Sequence, residues 1–336
     1  LISKTKLKKI LIALPGAVLL ILIIAFLWNA FLPLSSEQLA FRVQSGDHAA
    51  AIGTRLKERG VIRSAWLFRV LASTRGTDRR LIAGTYSLGG KHSLFQTLKL
   101  LESGNISAVK ITFPEGLSLH KTLERIDRSG LANYAELQAL ATDTLFVRQL
   151  TGFKAKSLEG FLYPETYFFD LAENPREILG KMTRHFFKKL AEADIDVVEK
   201  PDFYDLLIKA SIVEKESMVA DERPLVASVI ENRLQKGMRL ESCPTVDYIM
   251  ERQSGKKAVL SLQDTRIPSP YNTYRNHGLP PGPICNPSLS SIQAVLNPPK
   301  TDFFFFVADR KGRNDFSKTG EEHMRKAAAY KRQEWE

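Results

Sequence analysis

The stretch Phe41-Arg-Val-Gln-Ser-Gly-Asp-His-Ala-Ala-Ala-Ile52 decides the fold of the first folded part of this chain. Phe41 and Val43 alternate with polar residues, as a half-buried strand does. Ser45-Gly46-Asp47 reads as a turn with Asp47 capping the helix that follows, and Ala49, Ile52 and Leu56 recur at helical spacing over 49–59. Working outward, helices are predicted over 64–73 and 93–102 and strands over 83–87 and 109–113. The order strand–helix–helix–strand–helix–strand makes a small α+β module over about 40–112. From Pro114 the pattern turns mainly helical, with predicted helices at 119–128, 134–141, 176–196, 202–217, 221–236, 288–297 and 319–333. Residues 263–287 carry strong turn signals. Residues 301–308, with four consecutive phenylalanines, read as a buried core strand. The predicted class is therefore α+β, with three parts: 1–35, 40–112 and a mainly helical 113–336.

The first part differs in kind. No charge occurs from Ile10 to Leu34, and the run Ile10–Trp28 is nearly all apolar. As a helix it spans about 28 Å, close to a bilayer core. Lys4, Lys6, Lys8 and Lys9 precede it, and Trp28 stands where an interfacial anchor belongs. The positive-inside rule then places the tail in the cytoplasm and the rest outside. A cleaved signal peptide has a shorter apolar region, about 7–15 residues, ending in a small-x-small site, and Trp28-Asn-Ala-Phe31 is a poor one. An uncleaved single-pass inner-membrane anchor with a periplasmic or extracytoplasmic body is the expectation. Residue 1 is Leu, which leaves the length of the cytoplasmic tail open.

A net charge of +11 favours anionic surroundings without choosing among them. No zinc-finger spacing or RNP-type motif is present, so nucleic acid is not an expected partner. The six histidines are dispersed, with no HExxH, and there is no GxSxG elbow or phosphate loop, so neither metal nor cofactor is expected. Cys243 and Cys285 stand beside proline-containing loops and read either as one extracytoplasmic bridge or as two small thiols.

The densest chemical signal is Ala210-Ser-Ile-Val-Glu214-Lys-Glu216-Ser217, followed by Asp221-Glu222-Arg223 and by Val226 to Leu234. A carboxyl group that serves as a general acid must stay neutral until it acts, and an apolar setting keeps it so. Residues two apart on a helix are about 200° apart, so Glu214 and Glu216 face different ways. Spacing about one core face favours Glu214 as the more buried; a cleft on the other side favours Glu216. A solvated or ion-paired helix carboxylate is the bland alternative for either.

Residues 41–52 resemble the start of a LysM module, a resemblance that implies binding of N-acetylglucosamine-containing glycans and fades after about residue 60. The whole chain resembles the YceG-like family of endolytic murein transglycosylases. The resemblance rests on motifs in order: the N-terminal anchor, Ala83-Gly-Thr-Tyr86, Leu100-Leu-Glu-Ser-Gly104, Pro114-Glu-Gly116 and Glu159-Gly-Phe-Leu-Tyr-Pro-Glu-Thr166, then the Glu214-Lys-Glu216 helix with Val226 to Leu234 and Gly237-Met-Arg-Leu240. Pro244-Thr-Val246, Tyr271-Asn-Thr-Tyr274, Gly278-Leu-Pro-Pro-Gly282 and Phe306-Val-Ala-Asp309 complete it. It implies that Glu216 is the catalytic acid/base of a lytic transglycosylase. Such an enzyme cuts the bond between N-acetylmuramic acid and N-acetylglucosamine in nascent peptidoglycan, leaves a 1,6-anhydro end, and terminates strands beside the peptidoglycan synthases. Glu165, Asn232, Thr245, Tyr271, Asn272, Thr273 and Tyr274 are the implied substrate contacts, with Glu214, Ser217 and Glu222 as secondary candidates. A muramidase-type hydrolase and a non-catalytic glycan-binding scaffold are the alternatives.

Overall fold

The structure is a computed structural model and describes residues 4–44, 46–78, 81–104, 106–197, 202–254, 260–309 and 312–332. The chain divides into two compact units, 1–109 with 170–172, and 110–169 with 173–336.

The first unit begins with α1 (Lys4–Phe31) and continues through β1 (Leu34–Val43), α2 (Ala49–Glu58), α3 (Ala65–Thr74), β2 (Gly84–His92), α4 (Leu94–Ser103) and the start of β3 (Ala108–Thr112). β1 and β2 pair antiparallel with Phe41 opposite Tyr86 and Val43 opposite Gly84. The alternation that predicts a strand at 41–43 turns Phe41 and Val43 into a core with Ile52, Leu56, Phe68 and Leu98. Tyr86 is fully buried, and its hydroxyl donates to the carbonyls of Ile82 and Leu101. A capping box between Ser93 and Gln96 starts α4, and left-handed Gly104 ends it. One local expectation fails: His48, not Asp47, is the N-cap of α2, and it makes no side-chain cap. The Asp47 carboxylate instead accepts from the Gln44 N–H and pairs with Arg55, because the turn folds it back toward the strand. Ser45 of that predicted turn lies outside the described residues.

The apolar run Ile10–Trp28 lies within α1, and the side chains from Val18 to Ile24 all face outward. Among the described residues no helix is long and apolar enough to cross a membrane, so the expected transmembrane helix is not established; the side chains of residues 4–15 and 17 lie outside the described set.

The second unit holds α5 (Leu119–Arg128), α6 (Tyr134–Ala141), α7 (Thr144–Thr151), β4 (Thr166–Asp170), α8 (Pro175–Glu192), α9 (Phe203–Glu216), α10 (Arg223–Gln235), α11 (Cys243–Ser254), α12 (Leu289–Leu296), β5 (Phe305–Ala308), β6 (Asn314–Ser317) and α13 (Gly320–Arg332). Among the described residues three two-stranded sheets, β1–β2, β3–β4 and β5–β6, accompany the helices, so the class is mixed α+β. Side-chain caps from Ser118, Asn133, Asp143, Asn174 and Ser288 start five of these helices. Helix α9 is the hub. Its Phe203, Leu207, Ala210, Ile212 and Val213 are buried, and it packs on α10, α11 and α12.

The four phenylalanines correct the reading of 301–308 as plain core. Phe303 to Phe306 are all half-buried, because the β5–β6 ribbon has two strands and its Phe305 and Phe306 line a cavity. The two cysteines are free, Cys243 exposed and Cys285 buried, so no bridge joins their loops.

Candidate active site

Glu216 is the last residue of α9, where the helix meets a cavity of about 480 Å³. Ile212, one turn earlier, lines the same wall, which is the i, i+4 relation of one helix face. Across from them stand Arg233 of α10, Glu241 and Ser242 before α11, and Phe305 and Asn314 of the β-ribbon.

The Ser242 hydroxyl donates to Glu216 Oε1 at 2.6 Å. Burial pushes the Glu216 carboxyl up from 4.5 to about 7; the Ser242 hydrogen bond and the Arg233 charge oppose that rise, and Asp247 adds to it. A group so placed holds a proton near neutrality and releases it readily, as an acid/base needs. Arg233 is itself anchored, donating from Nε to the Phe304 carbonyl at 2.6 Å and from Nη1 to the Leu240 carbonyl at 2.8 Å, with its guanidinium over the Phe305 ring.

Glu214 contrasts sharply. Its side chain is 5 % exposed and saturated by four donors. Oε2 accepts from the Ser288 N–H at 2.9 Å, the Ser288 hydroxyl at 2.5 Å and the Ser291 hydroxyl at 2.7 Å, while Oε1 meets Arg223 at 3.2 Å. It is a structural anion that ties α9 to α12. Spacing about one core face turns Glu214 inward, and the donors on both of its oxygens remove it from chemistry.

The other predicted residues fall into three groups. Tyr274 lines the cavity, its hydroxyl 3.0 Å from the Cys243 thiol. Thr245, Thr273 and Asn272 are buried behind it. The Thr273 hydroxyl accepts from the Ser242 N–H at 2.9 Å and meets the Thr245 hydroxyl at 2.9 Å; Thr245 in turn donates to the Ser242 carbonyl at 2.7 Å. Asn272 donates to the carbonyls of Thr265 and Ile267 and accepts from the Tyr274 N–H at 3.0 Å. These three side chains hold Ser242 and Tyr274 in place.

The third group stands apart from the cavity. Asn232 donates to the carbonyls of Thr301 and Phe303, fixing α10 to the approach of β5. Ser217 donates to the Val219 carbonyl at 2.8 Å just beyond α9. Buried Glu222 accepts from the Asn314 N–H at 2.8 Å and pairs with Arg313 at 3.1 Å, so it places Asn314. Glu165 is exposed and accepts from its neighbour's Thr166 N–H. Tyr271 packs on Tyr248 at 5.0 Å and lines a different cavity.

Ser242, Arg233, Glu241, Asn314 and Phe305 are the residues that sequence reading misses. Only proximity to the Gly237-Met-Arg-Leu240 and Pro244-Thr-Val246 motifs hints at Glu241 and Ser242. Among the described residues, no three His, Cys, Asp or Glu side chains group to hold a metal ion.

A mainly helical unit with a half-buried glutamate at a helix end, set in a cavity with hydroxyl, aromatic and guanidinium groups, defines a candidate acid/base site. Residues 41–329 match the YceG-like family model, and the chain belongs to that family. An endolytic murein transglycosylase of Bacillus subtilis is 33 % identical over 88 % of this chain and 86 % of its own length. One from Streptococcus pneumoniae is 29 % identical over 91 % of this chain and 61 % of its own length. A crystal structure of a YceG-like protein from Listeria monocytogenes matches with a TM-score of 0.59 and 33 % identity, covering 87 % of this chain and 99 % of that one.

Proposed function

We propose that the chain is a lytic transglycosylase of peptidoglycan glycan strands, with Glu216 as its acid/base. Its membership of the YceG-like family and its likeness to proteins named endolytic murein transglycosylases support the class. The observation that carries the assignment is the Glu216 carboxyl, pushed up to about 7 in a cavity and held by Ser242.

Protonated Glu216 donates to the glycosidic oxygen as the bond to the anomeric carbon of N-acetylmuramic acid breaks, and N-acetylglucosamine leaves as the alcohol. The carboxylate then takes the proton of that muramic acid's C6 hydroxyl, whose oxygen closes on the anomeric carbon. The product is a 1,6-anhydro end, Glu216 is again protonated, and no water is consumed. The nucleophile is intramolecular, so its effective concentration is high and no second carboxylate has to activate it. Arg233 and Ser242 lie where they steady the carboxylate formed between the two transfers.

A second reading has one observation in its favour: Glu241 lines the same cavity, paired with Arg233 at 3.7 Å and Arg239 at 3.9 Å. As a carboxylate it is a base for water in a muramidase-type hydrolase, whose two carboxyl groups flank the scissile bond. Product mass separates the two, since an anhydro end is lighter than a reducing end by one water. The full chain in detergent is incubated with uncrosslinked glycan strands and the products are weighed. Anhydro ends from both the wild type and Glu241→Gln support the transglycosylase, reducing ends the hydrolase, and undiminished cleavage by Glu216→Gln overturns both.

The membrane anchor belongs to the same proposal. It is supported by the uncharged run Ile10–Leu34 and by the outward-facing apolar side chains of Val18 to Ile24. An anchored enzyme reaches nascent strands close to the bilayer, which makes release of growing strands its role and the strand-synthesising machinery its neighbour.

A further inference from the structure

A second cavity, of about 450 Å³, lies in the same unit as the first. Helix α11 connects them. Cys243 at its start lines the Glu216 cavity; Pro244, Asp247, Tyr248 and Glu251 line a narrow cleft beside it; Tyr248 and Arg252 line the second cavity. Asp247 of the cleft is near enough to act on the Glu216 carboxyl. The nine helical steps from Cys243 to Arg252 rise about 13 Å, on the order of a disaccharide repeat.

We propose that this second cavity is a distal subsite for an acidic, peptide-bearing amino sugar of the same strand that Glu216 cuts. The proposal rests on the function assigned above. Its chemistry is that of a sugar site: half-buried Tyr134 and Tyr271 supply aromatic surface for a pyranose face, with buried Tyr248 packed behind Tyr271 and under Arg252, and Gln138 supplies an amide for hydroxyl or acetamido groups. Lys156 and Arg252 stand exposed at the rim, and both are cations. The nearby acids do not cancel them. Glu251 is paired with Lys121 at 2.6 Å, and Glu124 with Arg128 at 2.9 Å and His120 at 3.4 Å. Glu159, buried in the cavity wall, accepts from the Leu119 N–H and the Tyr248 hydroxyl, and burial pushes it up to about 8, so it is largely neutral at physiological pH. The cavity thus offers uncompensated positive charge beside aromatic faces, which suits the carboxylates of a muramic acid and its peptide stem.

Binding, measured without turnover, is the test. Full-length Glu216→Gln protein is titrated in detergent with uncrosslinked strands carrying their stems, with the same strands stripped of stems, and with a single peptide-bearing disaccharide. Adding Lys156→Ala and Arg252→Ala is expected to weaken binding of stem-bearing strands at least fivefold and of stripped strands far less. Lys156→Arg with Arg252→Lys is expected to keep most of the affinity. Unchanged affinity for stem-bearing strands, equal weakening of stripped strands, or no strand binding by the Glu216→Gln parent overturns the proposal. Failure of the wild type to cleave strands sinks the enzymatic reading and leaves this binding comparison to decide on its own.

Discussion

Two glutamates on one helix turn, two residues apart, have opposite fates because their surroundings differ in donors. Glu214 meets three serine donors and an arginine; Glu216 meets one serine hydroxyl and a cavity. Glu216→Gln is expected to lower strand cleavage roughly 10²–10⁴-fold, the usual worth of a positioned acid/base. Glu214→Gln is expected to act on stability instead, by about 3 kcal/mol, because it leaves buried Arg223 with the exposed Glu115, 3.7 Å away, as its remaining partner acid; a thermal melt checks it. The pH response of Glu216 has a definite sign. The folded protein holds this proton to about pH 7, whereas the unfolded chain releases it near 4.5, so Glu216 erodes stability as pH rises through that window. Glu216→Gln therefore raises the melting temperature relative to wild type more at pH 8 than at pH 5. Cleavage, which needs the protonated acid, falls as pH passes about 7. Ser242→Ala removes an interaction that favours the carboxylate, so this falling limb moves to higher pH; a limb that stays put would show that Ser242 does not govern the titration.

At the level of elements, the site is a helix end buttressed by a loop. Thr245 and Thr273 grip Ser242 from both its amide and its carbonyl sides. Thr245→Val is expected to cost about 1–3 kcal/mol through the unpaired polar groups it leaves, and to lower kcat more than it raises KM. Much of this architecture is legible in the sequence. The helices at 119–128 and 134–141 agree with α5 and α6, because a side-chain cap and a short apolar stripe mark each. Helix α11 is missed: Cys243-Pro244 reads as a loop signal, yet proline is tolerated in a first turn. Helix α7 and strands β4 and β6 escape for want of length. Within the site, Glu216 and Tyr274 are legible from motif resemblance. The supporting role of Thr245, Thr273 and Asn272 is not, since a buried threonine bonded to a backbone and one facing a sugar look alike in a string of letters. Arg233 is hidden for a similar reason: an arginine on a helix suggests solvent, and only the fold encloses it with Phe304, Phe305 and Leu240.

For the whole molecule, the anchor proposal is tested at α1. Leu20→Arg with Ile23→Arg places two charges in the outward apolar face and is expected to shift the full chain from the carbonate-resistant membrane fraction to the soluble one; retention in the membrane would refute the proposal. The two free cysteines carry a practical consequence. One is sealed inside the second unit, while the other opens onto the chamber that holds Glu216. A maleimide dye should therefore attach once per native chain and twice after denaturation. The natural protein comes with a single addressable docking point, through which a tethered saccharide can be parked beside the acid and its occupancy followed in real time.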